Sequence, residues 1–141
     1  MKYFFDTSVL IPVFLSDHVH HDRSFAAFAA ADRRSACCAA HSLAEVYATL
    51  TRLPGKHRLS GEQTVLFLEA IEERLTIVSL ESDEYFRAIR GAAGEGIVGG
   101  ALYDYLLAAC AVKAGAEVLY TWNLRDFRHL GADVVKRLRT P

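Results

Sequence analysis

The feature of this sequence that most constrains its fold is the alternation of short apolar segments with longer segments of helical periodicity. Four short segments are mostly apolar, as strands are when both faces of a parallel sheet are covered. They span residues 2–6, 35–40, 75–80 and 118–121. This alternation predicts an α/β fold in three layers, with a central parallel sheet flanked by helices.

Apolar side chains at helical spacing predict helices between these strands. The predicted helices span residues 7–15, 19–31, 42–53, 61–74, 81–93 and 103–114. Gly115 follows the last of them, as a C-capping glycine does. Val134 and Val135 predict a last short strand. The glycine-rich segment 91–100 lacks the lysine of a phosphate-binding P-loop, and we expect it to be a loop that a phosphate group can approach closely.

Length and composition limit the classes of protein that need to be considered. The chain has 141 residues, of which 52% are hydrophobic, and we expect residues 1–141 to form a single domain around one core. The net charge of −1 favours no polyanionic partner. Cys37, Cys38 and Cys110 lack the spacing of a disulfide framework or a metal clip, which favours the reducing cytoplasm. No apolar run is long enough for a membrane span, so no membrane association is expected.

The apolar surplus also predicts self-association. Helices that expose large apolar side chains gain free energy when a second copy covers them. Two of the predicted helices, 19–31 and 61–74, would carry such side chains on their exposed faces, namely Phe25, Phe28, Val65 and Phe67. We therefore expect a homodimer.

Three acidic residues lie near points at which the chain enters a helix, and all three have apolar neighbours. They are Asp6, Glu45 and Asp104. Because ligands of parallel sheets bind beyond the carboxyl ends of the strands, these carboxylates would surround one small volume if the corresponding edges converge. Ionising them together in apolar surroundings is costly without a cation. The pattern therefore predicts a site for Mg²⁺, which takes one or two carboxylates and keeps water ligands.

Each acid also has a purely structural interpretation. Asp6 has the position of an N-cap for the helix that begins at Thr7. Glu45 lies three residues after Ser42, which is the spacing of a capping box. Asp104, in a first helical turn, would complement the helix dipole.

Four segments resemble, in order, the four motifs of the PIN-domain ribonucleases. They are Phe5–Leu10, Leu43–Tyr47, Tyr103–Ala111 and Leu119–Phe127. The similarity is strongest to the VapC toxins of bacterial type II toxin–antitoxin pairs. The resemblance implies a PIN fold and an endoribonuclease that depends on Mg²⁺ or Mn²⁺, forms a homodimer and is held inactive by a VapB-type antitoxin.

The resemblance also implies roles for individual residues. Asp6 and Asp104 match the metal-binding aspartates of the family, and Glu45 matches its catalytic glutamate. Asn123 stands where many members have an aspartate, and we expect it to orient a water or offer its carbonyl beside the metal ligands. The nearest acid to that position is Asp126, so the sequence leaves the fourth acidic role and a second metal ion open.

Basic residues form two clusters in this nearly neutral chain, and they are candidates for contacts with an RNA backbone. The first cluster spans residues 52–58. The second consists of Arg125, Arg128, His129, Lys136, Arg137 and Arg139. A solubilising surface is the alternative interpretation. The hydroxyls of Ser8 and Thr121 are candidates to hold a water near the acids.

Two other classes of function compete with the nuclease. A phosphatase or receiver domain also places an aspartate at a strand end, but its Asp-x-Asp pair would need an acid at position 8, where this chain has Ser8. A catalytically degenerate PIN-type module that only binds RNA or protein is the second alternative. The presence of all three acids favours the enzyme.

Overall fold

The structure is a computed structural model that describes all residues, Met1–Pro141. Its centre is a sheet of five parallel strands in the order β3-β2-β1-β4-β5. The strands are β1 (Tyr3–Phe5), β2 (Ala36–Ala39), β3 (Thr76–Val78), β4 (Val118–Tyr120) and β5 (Leu138–Arg139). The predicted α/β class with a central parallel sheet is confirmed.

Eight α-helices accompany the sheet. They are α1 (Thr7–Val13), α2 (His21–Ala29), α3 (Ala40–Leu50), α4 (Gly61–Arg74), α5 (Ser82–Gly94), α6 (Ala101–Lys113), α7 (Leu124–Phe127) and α8 (Ala132–Val135). A single 3₁₀ turn covers Gly55–His57. None of these helices combines the length and the apolarity needed to cross a membrane.

Alternation along the strands divides the core into two layers. In β1, Phe4 packs on one face of the sheet with α6, α7 and α8, whereas Phe5 packs on the other face with α1, α3 and α4. Both rings are fully buried. Because each face is covered by helices, the side chains of β1, β2 and β4 are apolar or aromatic, which is why the sequence shows these strands as short apolar runs.

The carboxyl end of β1 is the place where the chain changes direction across the sheet. Helix α1 follows β1 onto one face, and α7 follows the neighbouring β4 onto the other. A crevice opens between two parallel strands whose following helices diverge in this way, and ligands of open α/β sheets bind there. The residues that follow β1 and β4 are therefore the first candidates for a ligand-binding or catalytic site.

Two local predictions were wrong. Val134 and Val135 lie in α8, and the last strand is Leu138–Arg139. Two consecutive apolar residues do not distinguish a strand from one buried helical turn. The segment 91–100 is not all loop, because Gly91 and Gly94 belong to α5. Gly91 allows α5 to approach α6 closely, since a Cβ atom there would lie 2.7 Å from the hydroxyl oxygen of Tyr105.

The predicted exposed apolar patch was also partly wrong. Phe28 is buried, and Phe67 is partly buried and stacks on Phe14 with ring centroids 4.5 Å apart. Periodicity gives the apolar face of a helix but not which part of that face a neighbouring helix covers. A second exposed apolar stripe lies on α5, where it consists of Tyr85, Phe86 and Ile89.

Candidate active site

Asp6 is the most deeply placed acid of the site. Its side chain follows β1 directly, caps α1 and is 2% exposed. The hydroxyls of Ser8 and Thr121 donate hydrogen bonds of 2.7 and 2.8 Å to Oδ2, and the Ser8 backbone N–H donates to the same oxygen at 3.4 Å. All three bonds end on Oδ2, which leaves Oδ1 as the oxygen available to another ligand.

Burial raises the pKa of Asp6 above its ordinary value, although the hydrogen bonds from Ser8 and Thr121 lower it. The two hydroxyls were predicted to hold a water, and in the structure they hold the carboxylate. They are fixed in turn by the loop after β4, because the Trp122 N–H donates to Ser8 Oγ at 3.0 Å and the Asn123 N–H donates to Thr121 Oγ1 at 2.9 Å. One carboxylate oxygen thereby connects the loops that follow β1 and β4.

Glu45 projects from the second turn of α3 and is half-buried. The capping-box interpretation of this residue is wrong, because α3 begins at Ala40 and Ser42 is inside the helix. Thr7 Oγ1 lies 2.9 Å from Glu45 Oε1 and 2.9 Å from Ser42 Oγ. Since a carboxylate only accepts, the single Thr7 proton orients Glu45 through Oε1 and leaves Oε2 free.

Asp104 lies in the first turn of α6, as the dipole interpretation requires, and is half-buried. Burial raises the pKa of its carboxyl to about 6, and repulsion by nearby carboxylates contributes to the same shift. In decreasing order of effect, these carboxylates belong to Asp6, Asp126 and Glu45. The carboxylates that act on Asp104 thus come from each of the other three sequence motifs.

The fourth motif contributes an acid as well as an amide. Asn123 precedes α7, is exposed and forms no side-chain hydrogen bond with its helix. Asp126 lies in the first turn of α7, and its charge acts on Asp104 more strongly than that of Glu45. The sequence places both residues in one motif but does not show which one faces the other acids, because that depends on where α7 begins.

No protein cation neutralises these acids. The four ion pairs of the chain all lie elsewhere, and none of them includes Asp6, Glu45, Asp104 or Asp126. The structure also contains no group of three or more acidic, histidine or cysteine side chains arranged to hold a metal ion together. The unpaired carboxylate oxygens are donors of the kind that a hard divalent cation takes, and such a cation needs only one or two carboxylates besides water.

Each basic cluster has members that make contacts within the chain, and in the first cluster Arg58 donates to the Leu53 carbonyl. In the second cluster, Lys136 and Arg137 pair with Asp133, and Arg139 donates to backbone carbonyls. Arg125 and Arg128 are exposed and have no partner within the chain. The second cluster is thus partly structural, and its free members lie on or next to α7.

Comparisons with known proteins identify relatives of the chain by sequence and by fold. The profile of the PIN domain family matches residues 3–132. The chain is 32% identical over 134 residues to ribonuclease VapC40 of Mycobacterium tuberculosis, which covers 95% of this chain and 92% of that protein. It is 36% identical over 114 residues to ribonuclease VapC27 of the same species, covering 80% of this chain and 79% of that protein.

A solved structure has the same fold. A toxin–antitoxin complex from Klebsiella pneumoniae contains a chain that superposes with a TM-score of 0.67 and 21% identity, covering 99% of this chain and 98% of that one. The two sequence relatives cover 95% and 80% of the chain, and the structural relative has the same fold over nearly all of it. The chain therefore belongs to the PIN domain family, in which its relatives are VapC ribonucleases.

Proposed function

We propose that this protein is a metal-dependent endoribonuclease and the toxin of a VapBC-type pair. The observation that carries the proposal is the convergence of acids at the carboxyl end of β1, where burial and then the neighbouring carboxylates raise the pKa of Asp104 and no protein cation pairs with them. Uncompensated charge at the ligand-binding edge of a parallel sheet favours a divalent cation. The names of the two ribonuclease relatives support the reaction class.

Asp6 and Asp104 are the proposed metal ligands, and the cation is Mg²⁺, with Mn²⁺ as a substitute. Asp6 offers Oδ1, because its hydrogen bonds occupy Oδ2. The bound cation supplies a charge that polarises the scissile phosphodiester and lowers the pKa of a water molecule. Asp126 adds negative charge beside these ligands, and Asn123 offers an amide that can orient water.

Glu45 is the proposed general base. Thr7 holds Oε1, so Oε2 is free to accept a proton from the attacking water. The buried hydroxyls around Asp6 keep that carboxylate in one orientation while the proton moves at Glu45. The unpaired cations Arg125 and Arg128, with Arg52 and Lys56 of the first cluster, are proposed to bind the RNA backbone.

A VapB-type antitoxin is the proposed protein partner. The carboxylates that bind a cation in the active enzyme also fit a guanidinium or ammonium group, which forms charge-assisted hydrogen bonds with them. We propose that the antitoxin extends a peptide along the crevice and places an arginine or lysine against Asp6, Glu45 and Asp104. The toxin–antitoxin complex with the same fold supports a partner of this kind.

A homodimer is the proposed assembly. The stripe on α5 exposes 40% of Tyr85, 63% of Phe86 and 42% of Ile89, which lie on one side of the helix. Covering apolar surface contributes roughly 25 cal/mol per Å² before the costs of association. The stripe therefore favours contact with the same stripe of a second copy.

The first prediction concerns cleavage. The purified chain is expected to cut total bacterial RNA at defined sites when Mg²⁺ or Mn²⁺ is present and not when EDTA is present. Glu45→Gln is expected to slow cleavage by about 100-fold or more, the usual scale for loss of a general base. Asp6→Asn and Asp104→Asn are expected to slow cleavage at least as much, because each removes a proposed ligand of the cation. Sequencing the new 5′ ends measures the sites and the rates.

Asp17→Asn is the control for that experiment, because Asp17 is an exposed acid outside the site. It should cleave at the parental rate. Asp126→Asn is expected to slow cleavage more than Asn123→Ala, since the charge of Asp126 acts at Asp104. Metal-dependent RNA binding without cleavage by the parent would instead favour the degenerate PIN-type module.

The second prediction concerns stability without metal. The Asp104 carboxyl holds its proton to about pH 6 in the folded chain, whereas its ordinary pKa is 3.8. Its contribution to the free energy of unfolding is therefore present at low pH and is lost as the pH rises through about 6. In EDTA, Asp104→Asn is expected to be more stable than the parent at about pH 7 and to show a flatter pH dependence.

Thermal melts between about pH 4 and pH 7 test this expectation. Added Mn²⁺ should raise the melting temperature of the parent at pH 7 and raise that of Asp104→Asn less, because the linkage requires an intact site. A variant that is less stable than the parent by a few tenths to about 1 kcal/mol under all conditions would mean that Asp104 only complements the helix dipole.

The third prediction concerns the antitoxin. Co-expression of this chain with the small reading frame beside it should yield a complex that does not cleave RNA. Asp104→Asn should weaken the complex at low salt, because it removes one partner of the basic side chain. If the two proteins do not co-purify and cleavage is unaffected, the toxin–antitoxin proposal is wrong.

The fourth prediction concerns assembly. Light scattering at micromolar concentration should report a particle of twice the 15.6 kDa of the chain. Phe86→Lys should shift the particle to the monomer mass, whereas Val65→Lys, on α4, should not. A monomeric parent would contradict the homodimer, and a dimer that survives Phe86→Lys would place the interface elsewhere.

A further inference from the structure

An aromatic pair lies beside the acids on the side of β2. The rings of His41, near the start of α3, and Tyr103, near the start of α6, stack with centroids 5.5 Å apart and planes 11° apart. His41 is one helical turn before Glu45, and Tyr103 immediately precedes Asp104. The pair therefore lies next to two of the proposed catalytic residues.

Tyr103 is accessible to another molecule. It is 53% exposed even though it stacks on His41. The indole on the opposite side of the site is less available, because His20 stacks on Trp122 at 3.8 Å and Ser24 accepts the indole N–H. Of the two aromatic groups beside the acids, the His41–Tyr103 pair is thus the one with a more open ring.

A cavity of about 270 Å³ is lined in part by His41, whereas Tyr103 stacks on the His41 ring and lies outside the lining. The cavity lies beyond the carboxyl ends of β2 and β3, over Leu106, Leu107 and Cys110 of α6. Its lining contains no lysine or arginine, so it does not suit a phosphate. Its volume is just below the range of cavities that hold drug-sized molecules, which suits a group of about the size of one nucleobase.

We propose that the His41–Tyr103 pair and this cavity bind one unpaired nucleobase beside the scissile phosphodiester. This inference rests on the proposed ribonuclease function. Proteins that read RNA take unstacked bases onto aromatic side chains, and such stacking tolerates any base because every base has a π-face. The cavity contributes apolar walls beside the exposed ring, and its few polar lining residues include Ser79 and Tyr85. Tyr85 also belongs to the α5 stripe, so the cavity borders that stripe.

A base held in this position orients the adjoining phosphodiester toward the acids. Tyr103 and Asp104 are consecutive on α6, so the bound base and the reacting phosphate would be held by the same helical turn. Removing the ring should therefore weaken RNA binding without changing the acids. Tyr103 and His41 are positioning residues in this scheme and do not take part in the proton transfer.

The test measures RNA binding in the Glu45→Gln background. The probe is a short synthetic RNA that spans the cleavage site mapped with total RNA, labelled with fluorescein and also made with a single abasic position at each nucleotide in turn. Anisotropy at fixed salt gives Kd. Tyr103→Leu is expected to weaken binding of the intact RNA about tenfold, and Tyr103→Phe, which keeps the ring, should bind like the parent.

The abasic series distinguishes base stacking from a structural role. At one position next to the cut, loss of the base should weaken binding as much as Tyr103→Leu does, and the two changes together should cost no more than either alone. Phe25→Leu is the matched control, because Phe25 also packs near a histidine and is 50% exposed but lies on α2, not on α3 or α6. It should not alter Kd.

Three outcomes would overturn the inference while leaving the nuclease intact. In the first, the weakening of RNA binding by Tyr103→Leu and by removal of a base adds at every abasic position. In the second, Tyr103→Phe binds RNA as weakly as Tyr103→Leu. In the third, Tyr103→Leu weakens only the complex with the antitoxin. Equal melting temperatures of the Tyr103 variants exclude a folding defect. If the parent cleaves no RNA, the proposed function itself fails, and this inference fails with it.

Discussion

The structure depends on one buried carboxylate, that of Asp6. It follows the central strand at the point where the helices after β1 and β4 diverge, and it is nearly inaccessible to solvent. A carboxylate in this position is stable only if it is hydrogen-bonded, because burial penalises its charged form. Ser8 and Thr121 supply those bonds, and both are fixed by backbone groups of the loop after β4. These hydrogen bonds all end on Oδ2, so the interactions that stabilise the crevice leave Oδ1 free of them.

Much of this arrangement follows from the sequence, because its signals are local. Strands covered on both faces must be apolar, so four of the five strands were visible as short runs, and α4 was predicted with its observed bounds. The position of Asp6 directly after a strand was predicted from the same pattern. Asp6 shows that the structural and functional interpretations need not compete, since it caps α1 through Oδ2 and still has Oδ1 available. For Glu45 they did compete, and the capping box was excluded because α3 begins before Ser42.

The features that could not be predicted from the sequence depend on contacts between distant segments of the chain. Phe28 and Phe67 were predicted to be exposed, but α2 and α4 pack them against Phe5 and Phe14. The charge of Asp126 acts on Asp104, and Asp126 lies in the first turn of α7 because that helix begins one residue after Asn123. The His41–Tyr103 stack joins the starts of two helices that are far apart in the chain. Periodicity reports on one helix at a time and carries no information about such pairs.

We propose above all that the acids at the end of β1 share one divalent cation. The most direct measurement is anomalous diffraction from crystals grown with Mn²⁺, with Asp104→Asn crystals as the control. We expect one strong anomalous peak in contact with Asp6 and Asp104 in the parent, and a weaker peak or none in the variant. No peak among these acids at a Mn²⁺ concentration that supports RNA cleavage, or a peak bound elsewhere in the chain, would contradict the claim.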